Sequence, residues 1–164
     1  GGQAGAENGQ LTIMIGGDNT TYNTIQPLLN SYAKNSTLIG NSGSGQLAKM
    51  MNQICIAGLL QGLAEAINFG QKANLDIEKV IGVIKDGAAS SWQMENRYKT
   101  MVKDEFDFGF AVEWMRKDLK ICLEQADEVG AKLPVTAIID QFYSNVLEIG
   151  GKRWDTSSLI KLLR

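Results

Sequence analysis

Histidine is absent from the 164 residues. Its absence excludes a Ser-His-Asp triad, a Cys-His pair and any histidine-ligated metal within the chain. Cysteine is scarce. Cys55 and Cys122 stand among apolar neighbours at helical spacing, which predicts buried thiols in a reducing cytoplasm rather than a disulfide framework. Neither sign of charge dominates: 16 basic against 18 acidic residues leaves a net charge of −2 with no basic cluster, so no nucleic-acid footprint is expected. No uninterrupted apolar run approaches the roughly 20 residues of a bilayer crossing, and no signal-peptide pattern opens the chain. Glu95, Asp104 and Glu105 lack the spacing of a carboxylate dyad or a metal site, so no metal is expected. What remains is ordinary: 44% hydrophobic and 21% charged residues suit one globular core that needs no staple.

The N-terminus, Gly1 to Gly9, is glycine-rich and polar. From Gln10 to Ile15 apolar and other side chains alternate as in a strand, closed by Gly16-Gly17-Asp18. Leu38-Ile39 suggests a second strand. Two strands make a poor sheet, so either this edge belongs to a larger sheet encoded upstream or it is a small hairpin. Between them, Thr20 to Ala33 reads as a helix capped by Asp18 or Asn19 and strained at Pro27. The longest helix is predicted from about Ser44 to Ala73, stopped by Asn74.

Asp76 caps the next helix, with Ile77, Val80, Ile81 and Ile84 on its buried face. Ser90 or Ser91 caps another, Trp92 to about Lys103. Phe106, Phe108 and Phe110 form an aromatic loop expected to fill core, and Trp92, Trp114 and Trp154 read as packing residues. Val112 to Val129 is helical and ends at Gly130. Pro134 fits the first turn of a helix to about Ile149. Thr156 or Ser157 caps a last short helix through Leu163. The expected fold is mainly α: a helical bundle around one long central helix, preceded by one or two short strands. Residues 1–42 would form the sheet edge and 43–164 the helical domain.

The segment from Gly43 to Gln53 draws most notice. Gly43-x-Gly45 before a helix could cradle a phosphate on free amides, but it lacks the third glycine of a dinucleotide fingerprint and the Gly-Lys-Ser/Thr of a P-loop; more simply, small residues there would let a ligand or another strand approach closely. Lys49, Asn52 and Gln53 follow at i, i+3 and i+4 on one helical face. Ile54 to Leu60 has no polar side chain, and a helix apolar all round is expected to be buried all round. Lys49 reads either as a solvated surface residue or as a proton-handling group whose pKa partial desolvation lowers. Asn52 and Gln53 are amides suited to orienting a small oxygenated ligand. Arg116-Lys117-Asp118 reads as an exposed charge run.

Three motifs together resemble the C-terminal part of the β-hydroxyacid dehydrogenase family, and more distantly 6-phosphogluconate dehydrogenase. Gly1-Gly2-x-x-Gly5-Ala6-x-x-Gly9-x-Leu11 is similar to the tail of the family's substrate loop. Gly43-x-Gly45-x-x-x-Lys49-x-x-Asn52-Gln53 is similar to its catalytic segment. Gly109-Phe110 with Lys117-Asp118-Leu119 resembles a later motif that closes over the nicotinamide.

The resemblance implies roles. Lys49 would be the general acid–base; Gly1, Gly2, Asn52 and Gln53 would bind substrate; Lys117 and Phe110 would meet the cofactor, NAD or NADP; Asp118 would stand behind them. The Asn52-Gln53 pair resembles tartronate semialdehyde reductases more than 3-hydroxyisobutyrate dehydrogenases. A lysine at position 49 favours a hydroxyacid over an imine substrate. The family's N-terminal Rossmann domain lies outside this sequence, so the chain alone is expected to be inactive. Family members form dimers and tetramers through these helices, which implies a homo-oligomer. The competing expectation is a helical dimerisation module of the same fold that performs no chemistry.

Overall fold

The structure is a computed structural model and describes residues 2–164, without the side chains of Gln3 and Ala4. It is 65% helical. The chain divides into two compact units, residues 1–52 and 53–164.

The first unit opens with α1 (Gly2–Glu7), in the stretch whose resemblance implied the tail of a substrate loop. Then come β1 (Leu11–Gly16), α2 (Asn19–Leu29) and β2 (Ala33–Gly40). The strands pair in parallel, Leu11 beside Ala33 through Gly16 beside Gly40, which rules out the hairpin alternative. Asp18 caps α2: its carboxylate accepts the Thr21 amide at 2.8 Å, and this bond holds its pKa below the usual carboxylate range. The helix stops at Leu29, short of the expected Ala33, and β2 begins at Ala33 rather than Leu38. Pro27 contributes no amide, while the amides of Ser31 and Tyr32 turn back to the carbonyls of Leu28 and Leu29. The β-propensity of Thr37, Leu38 and Ile39 then carries the chain along its neighbour.

α3 spans Ser44–Lys72 without interruption, and its residues up to Asn52 belong to the first unit. Asn74 ends it at φ +57, as the sequence suggested. Two glycines determine how its first turn meets the strands. A Cβ on Gly45 would lie 2.5 Å from the Met14 carbonyl oxygen, and one on Gly16 would lie 2.5 Å from the Asn41 carbonyl and 2.7 Å from the Ser44 amide. Close backbone approach accounts for Gly45, and a backbone at φ +95 accounts for Gly43.

The second unit is a bundle on the remainder of α3: α4 (Ile77–Ile84), α5 (Trp92–Lys103), α6 (Val112–Val129), α7 (Pro134–Glu148) and a 3-10 helix, Thr156–Leu163. Asp76 and Ser91 cap α4 and α5 through the amides of Lys79 and Met94. Gly130 closes α6 in the left-handed region, φ +74. The core joins Leu60, Ala64 and Ile67 of α3 to Met101, Met115, Leu119, Tyr143 and Leu159. Burial lifts the Tyr143 phenol well above its ordinary pKa, reinforced by the Asp155 charge, while its hydroxyl donates to the Thr156 carbonyl at 3.0 Å.

Several expectations need correction. Ile54 to Leu60 is not buried all round: Ala57 and Leu60 are fully buried, but Leu59 is 45% exposed and Cys55 is exposed. One face of the bundle satisfies α3, and its apolar opposite face is left outward. By length and composition α3 would also suffice to cross a bilayer, yet that composition equally serves the buried face that builds this core. Trp92 and Trp114 lie mostly outside the core, as does Phe108, and only Phe106 of the aromatic loop is buried. The last helix is 3-10 and its cap is Asp155, not Thr156 or Ser157.

Candidate functional site

In the first unit, Lys49 and Asn52 are both exposed on α3. The helix that carries them is anchored one turn earlier by the Gly16–Gly45 contact, at the carboxyl ends of both strands. Gly2 is the first residue of α1, exposed and at φ +57. Gly1 lies outside the described residues.

In the second unit, Gln53 is 2% exposed. Its side-chain amide donates to Asp118 Oδ2 at 2.8 Å and approaches the Met115 sulfur at 3.7 Å. The other Asp118 oxygen pairs with Lys117 Nζ at 2.7 Å. One carboxylate therefore fixes a buried amide and pairs with the ammonium of a lysine whose side chain is 65% exposed. A solvated amide poised for ligand is not what the fold makes of Gln53; its NH2 group is bound within the bundle.

The charge run on α6 is not simply solvated either. Arg116 reaches Asp140 on α7 through Nε and Nη2 at 3.0 and 3.1 Å, and Ser144 through Nη1 at 3.1 Å. This carboxylate raises the already high pKa of Arg116. Lys117 lines an open hollow of about 390 Å³ with Arg116, Lys120, Glu124 and Asp127.

Phe110 is half-buried, its ring 5.8 Å from that of Trp114. Its backbone is held at both ends. The amide donates to Asp155 Oδ2 at 3.0 Å, and the carbonyl accepts the Thr156 amide at 3.0 Å. Asp155 is 1% exposed and also takes Arg97 Nε at 3.2 Å. The Arg97 guanidinium stacks between Trp92 and Phe108, 4.8 and 5.1 Å from their rings. Sequence reasoning missed Asp155 and Arg97. The legible signal was Asp155-Thr156-Ser157, an aspartate two residues before a serine at a helix start. Among the described residues no group of three or more acidic or cysteine side chains gathers into a metal site.

Residues 43–163 match the family model for the NAD-binding domain of NADP-dependent 3-hydroxyisobutyrate dehydrogenase, and residues 1–40 match that for the NAD-binding domain of 6-phosphogluconate dehydrogenase. The chain belongs to the β-hydroxyacid dehydrogenase family, whose members use NAD or NADP. It is 58% identical over 163 residues to an uncharacterized oxidoreductase of Shewanella frigidimarina, and 36% identical to the 2-hydroxy-3-oxopropionate reductase of Escherichia coli. Each match covers 99% of this chain and 56% of the relative. A solved Mycobacterium tuberculosis 3-hydroxyisobutyrate dehydrogenase with L-serine superposes with a TM-score of 0.91 at 27% identity, over all of this chain and 58% of that one. The chain thus spans little more than half the length of these relatives.

Proposed function

We propose that this chain is the substrate-binding and catalytic-lysine portion of an NAD(P)-dependent β-hydroxyacid dehydrogenase that interconverts a small 3-hydroxy acid and its semialdehyde. The observation that carries the reading is the placement of Lys49: an exposed lysine on a helix anchored by two glycines at the carboxyl ends of parallel strands. Ligands of open α/β sheets bind beyond those ends. Lys49 Nζ gives a proton to the carbonyl oxygen during reduction and takes it back from the hydroxyl during oxidation; its positive charge also stabilises the oxyanion as it develops. Asn52, one turn on, orients the substrate through its amide, and Gly1 and Gly2 offer backbone amides to its carboxylate.

The donor chemistry of the second unit fits a nicotinamide nucleotide. Lys117 presents a largely exposed side chain whose ammonium is paired with Asp118, and Phe110 presents an aromatic wall on a pinned backbone. When bound, the nicotinamide supplies the hydride. Gln53 serves this arrangement from inside the bundle, by holding Asp118. The rest of the sheet and most of the cofactor surface belong to the longer parent protein, so the chain alone does not turn over.

Replacing Lys49 in the full-length parent tests the reading. Lys49→Ala should lower kcat by about 10²–10⁴ while leaving folding and NADPH binding intact. A near-normal rate would favour the second reading, a dimerisation module without chemistry. That reading has its own support: Leu47, Met51, Cys55 and Leu59 follow at four-residue spacing along α3, all exposed. In either case we place the protein in the cytoplasm as a homo-oligomer that uses this apolar side of α3, with neither membrane nor nucleic acid as partner.

A further inference from the structure

We propose that Asp155 is the positioning residue for Phe110: it sets the height of the aromatic wall by holding the Phe110 amide, and so sets how tightly the nicotinamide end of the cofactor is held. The proposal rests on the reading above that Phe110 meets the cofactor. Asp155 Oδ2 accepts the Phe110 amide at 3.0 Å; Oδ1 accepts Arg97 Nε at 3.2 Å, the Ser157 amide at 3.0 Å and the Ser157 hydroxyl at 2.6 Å. Four donors therefore converge on one buried carboxylate, which as an acceptor-only group can satisfy all four. The backbones join as well. The Asp155 amide donates to the Phe106 carbonyl at 2.8 Å, and the Val112 amide to the Trp154 carbonyl at 2.9 Å. Between these bonds Gly109 takes φ +71, and a Cβ there would overlap Asp155 Oδ2. The loop can reach the carboxylate only because position 109 has no side chain.

The two oxygens do different work. Oδ1 and Ser157 cap the 3-10 helix, which is a structural duty. Oδ2 bonds only the Phe110 amide among the hydrogen bonds above, and that bond does nothing for the cap. An aspartate needed for capping alone would not require a glycine at 109. Substituting Asn would place an NH2 group against one of these donors and break the set.

The test uses the full-length parent enzyme, with the Kd for NADH or NADPH, whichever the wild type binds, followed by fluorescence and amide hydrogen exchange followed by mass spectrometry. Asp155→Asn should raise the Kd about tenfold and speed exchange across 106–111. Ser157→Ala should leave the Kd within twofold and speed exchange only across 156–163. On a Phe110→Leu background, Asp155→Asn should add little to the Kd, because both changes act through one wall. Equal Kd shifts in Asp155→Asn and Ser157→Ala, or full multiplication on the Phe110→Leu background, would overturn the proposal. Should Asp155→Asn fail to fold, Gly109→Ala reads the same link, since its methyl group displaces the loop from the carboxylate; an unchanged Kd there overturns the proposal too. A wild-type parent that binds neither NADH nor NADPH overturns both this proposal and the function it rests on, whereas intact binding of either with Lys49→Ala still active overturns only the function.

Discussion

Arg116 grips Asp140 with two nearly parallel N–H···O bonds, 3.0 and 3.1 Å long, and spends its remaining terminal nitrogen on Ser144. The fork ties α6 to α7 beside the buried Met115 and Leu119. A lysine has the charge but not the fork. Arg116→Lys should therefore destabilise this chain by about 1–2 kcal/mol, seen as a lower denaturation midpoint in urea at unchanged slope. An unchanged midpoint would mean that solvent already screens the pair.

The buried phenol of Tyr143 gives a pH dependence of definite sign. Its pKa is raised in the folded state, above the ordinary value near 10. The stability it contributes is fully present below that value and is lost as pH rises toward the folded pKa, because only the unfolded chain gives up the proton. Tyr143→Phe should cost about 1 kcal/mol at neutral pH, from the lost bond to the Thr156 carbonyl. The gap between variant and wild type should narrow above pH 10, measured by chemical denaturation. A gap that stays constant to pH 11 would contradict the burial of the phenol.

The glycines separate into two kinds. Gly45→Ala drives a methyl group into the Met14 carbonyl and should destabilise the first unit by about 1–3 kcal/mol, since backbone cannot move aside as a side chain can. Gly82, on the exposed side of α4, has nothing within 4 Å of its added Cβ. Gly82→Ala should stabilise by about 0.5–1 kcal/mol through helix propensity. Thermal melts of the two variants should move in opposite directions.

Thiol reactivity checks how α3 is packed. Cys55 is exposed and Cys122 is 2% exposed. In the homo-oligomer proposed above Cys55 is covered, so an aromatic disulfide reagent should modify neither thiol quickly until the assembly is diluted apart, when Cys55 reacts and Cys122 still waits for denaturation. A Cys55 that reacts quickly in the assembled protein would mean that this side of α3 is not the interface.

A core truncation supplies the scale for the other variants. Leu60 is fully buried within the cluster that joins α3 to the rest of the second unit. Leu60→Ala should cost about 2–5 kcal/mol, the largest loss in this set.

The helices of the second unit were legible because each carries its own start and stop signals. Asp76, Ser91, Gly130 and Pro134 all act where the sequence places them. The strand β2 was half hidden, since Ala33 to Ser36 have little β-propensity and take strand geometry only by pairing with β1. Burial around α3 was misjudged for a related reason. A stretch with no polar side chain says that something apolar will meet it, not that this chain supplies the partner on every side, and Cys55 and Leu59 face away. For the site, the resemblance named Lys117, Asp118 and Phe110, but the partners that fix Asp118 and Phe110 are long-range. Asp118 meets a glutamine 65 positions away, and Asp155 an amide 45 positions away. No local pattern encodes such pairs.

The stack of Trp92, Arg97 and Phe108 makes the molecule its own optical gauge. With Trp114 and Trp154 replaced by phenylalanine, Trp92 would be the sole indole, lying 4.8 Å from a guanidinium that is tied in turn to Asp155. Any movement of the 106–110 segment would change that indole's surroundings, so its emission wavelength would follow the loop in real time without an attached dye.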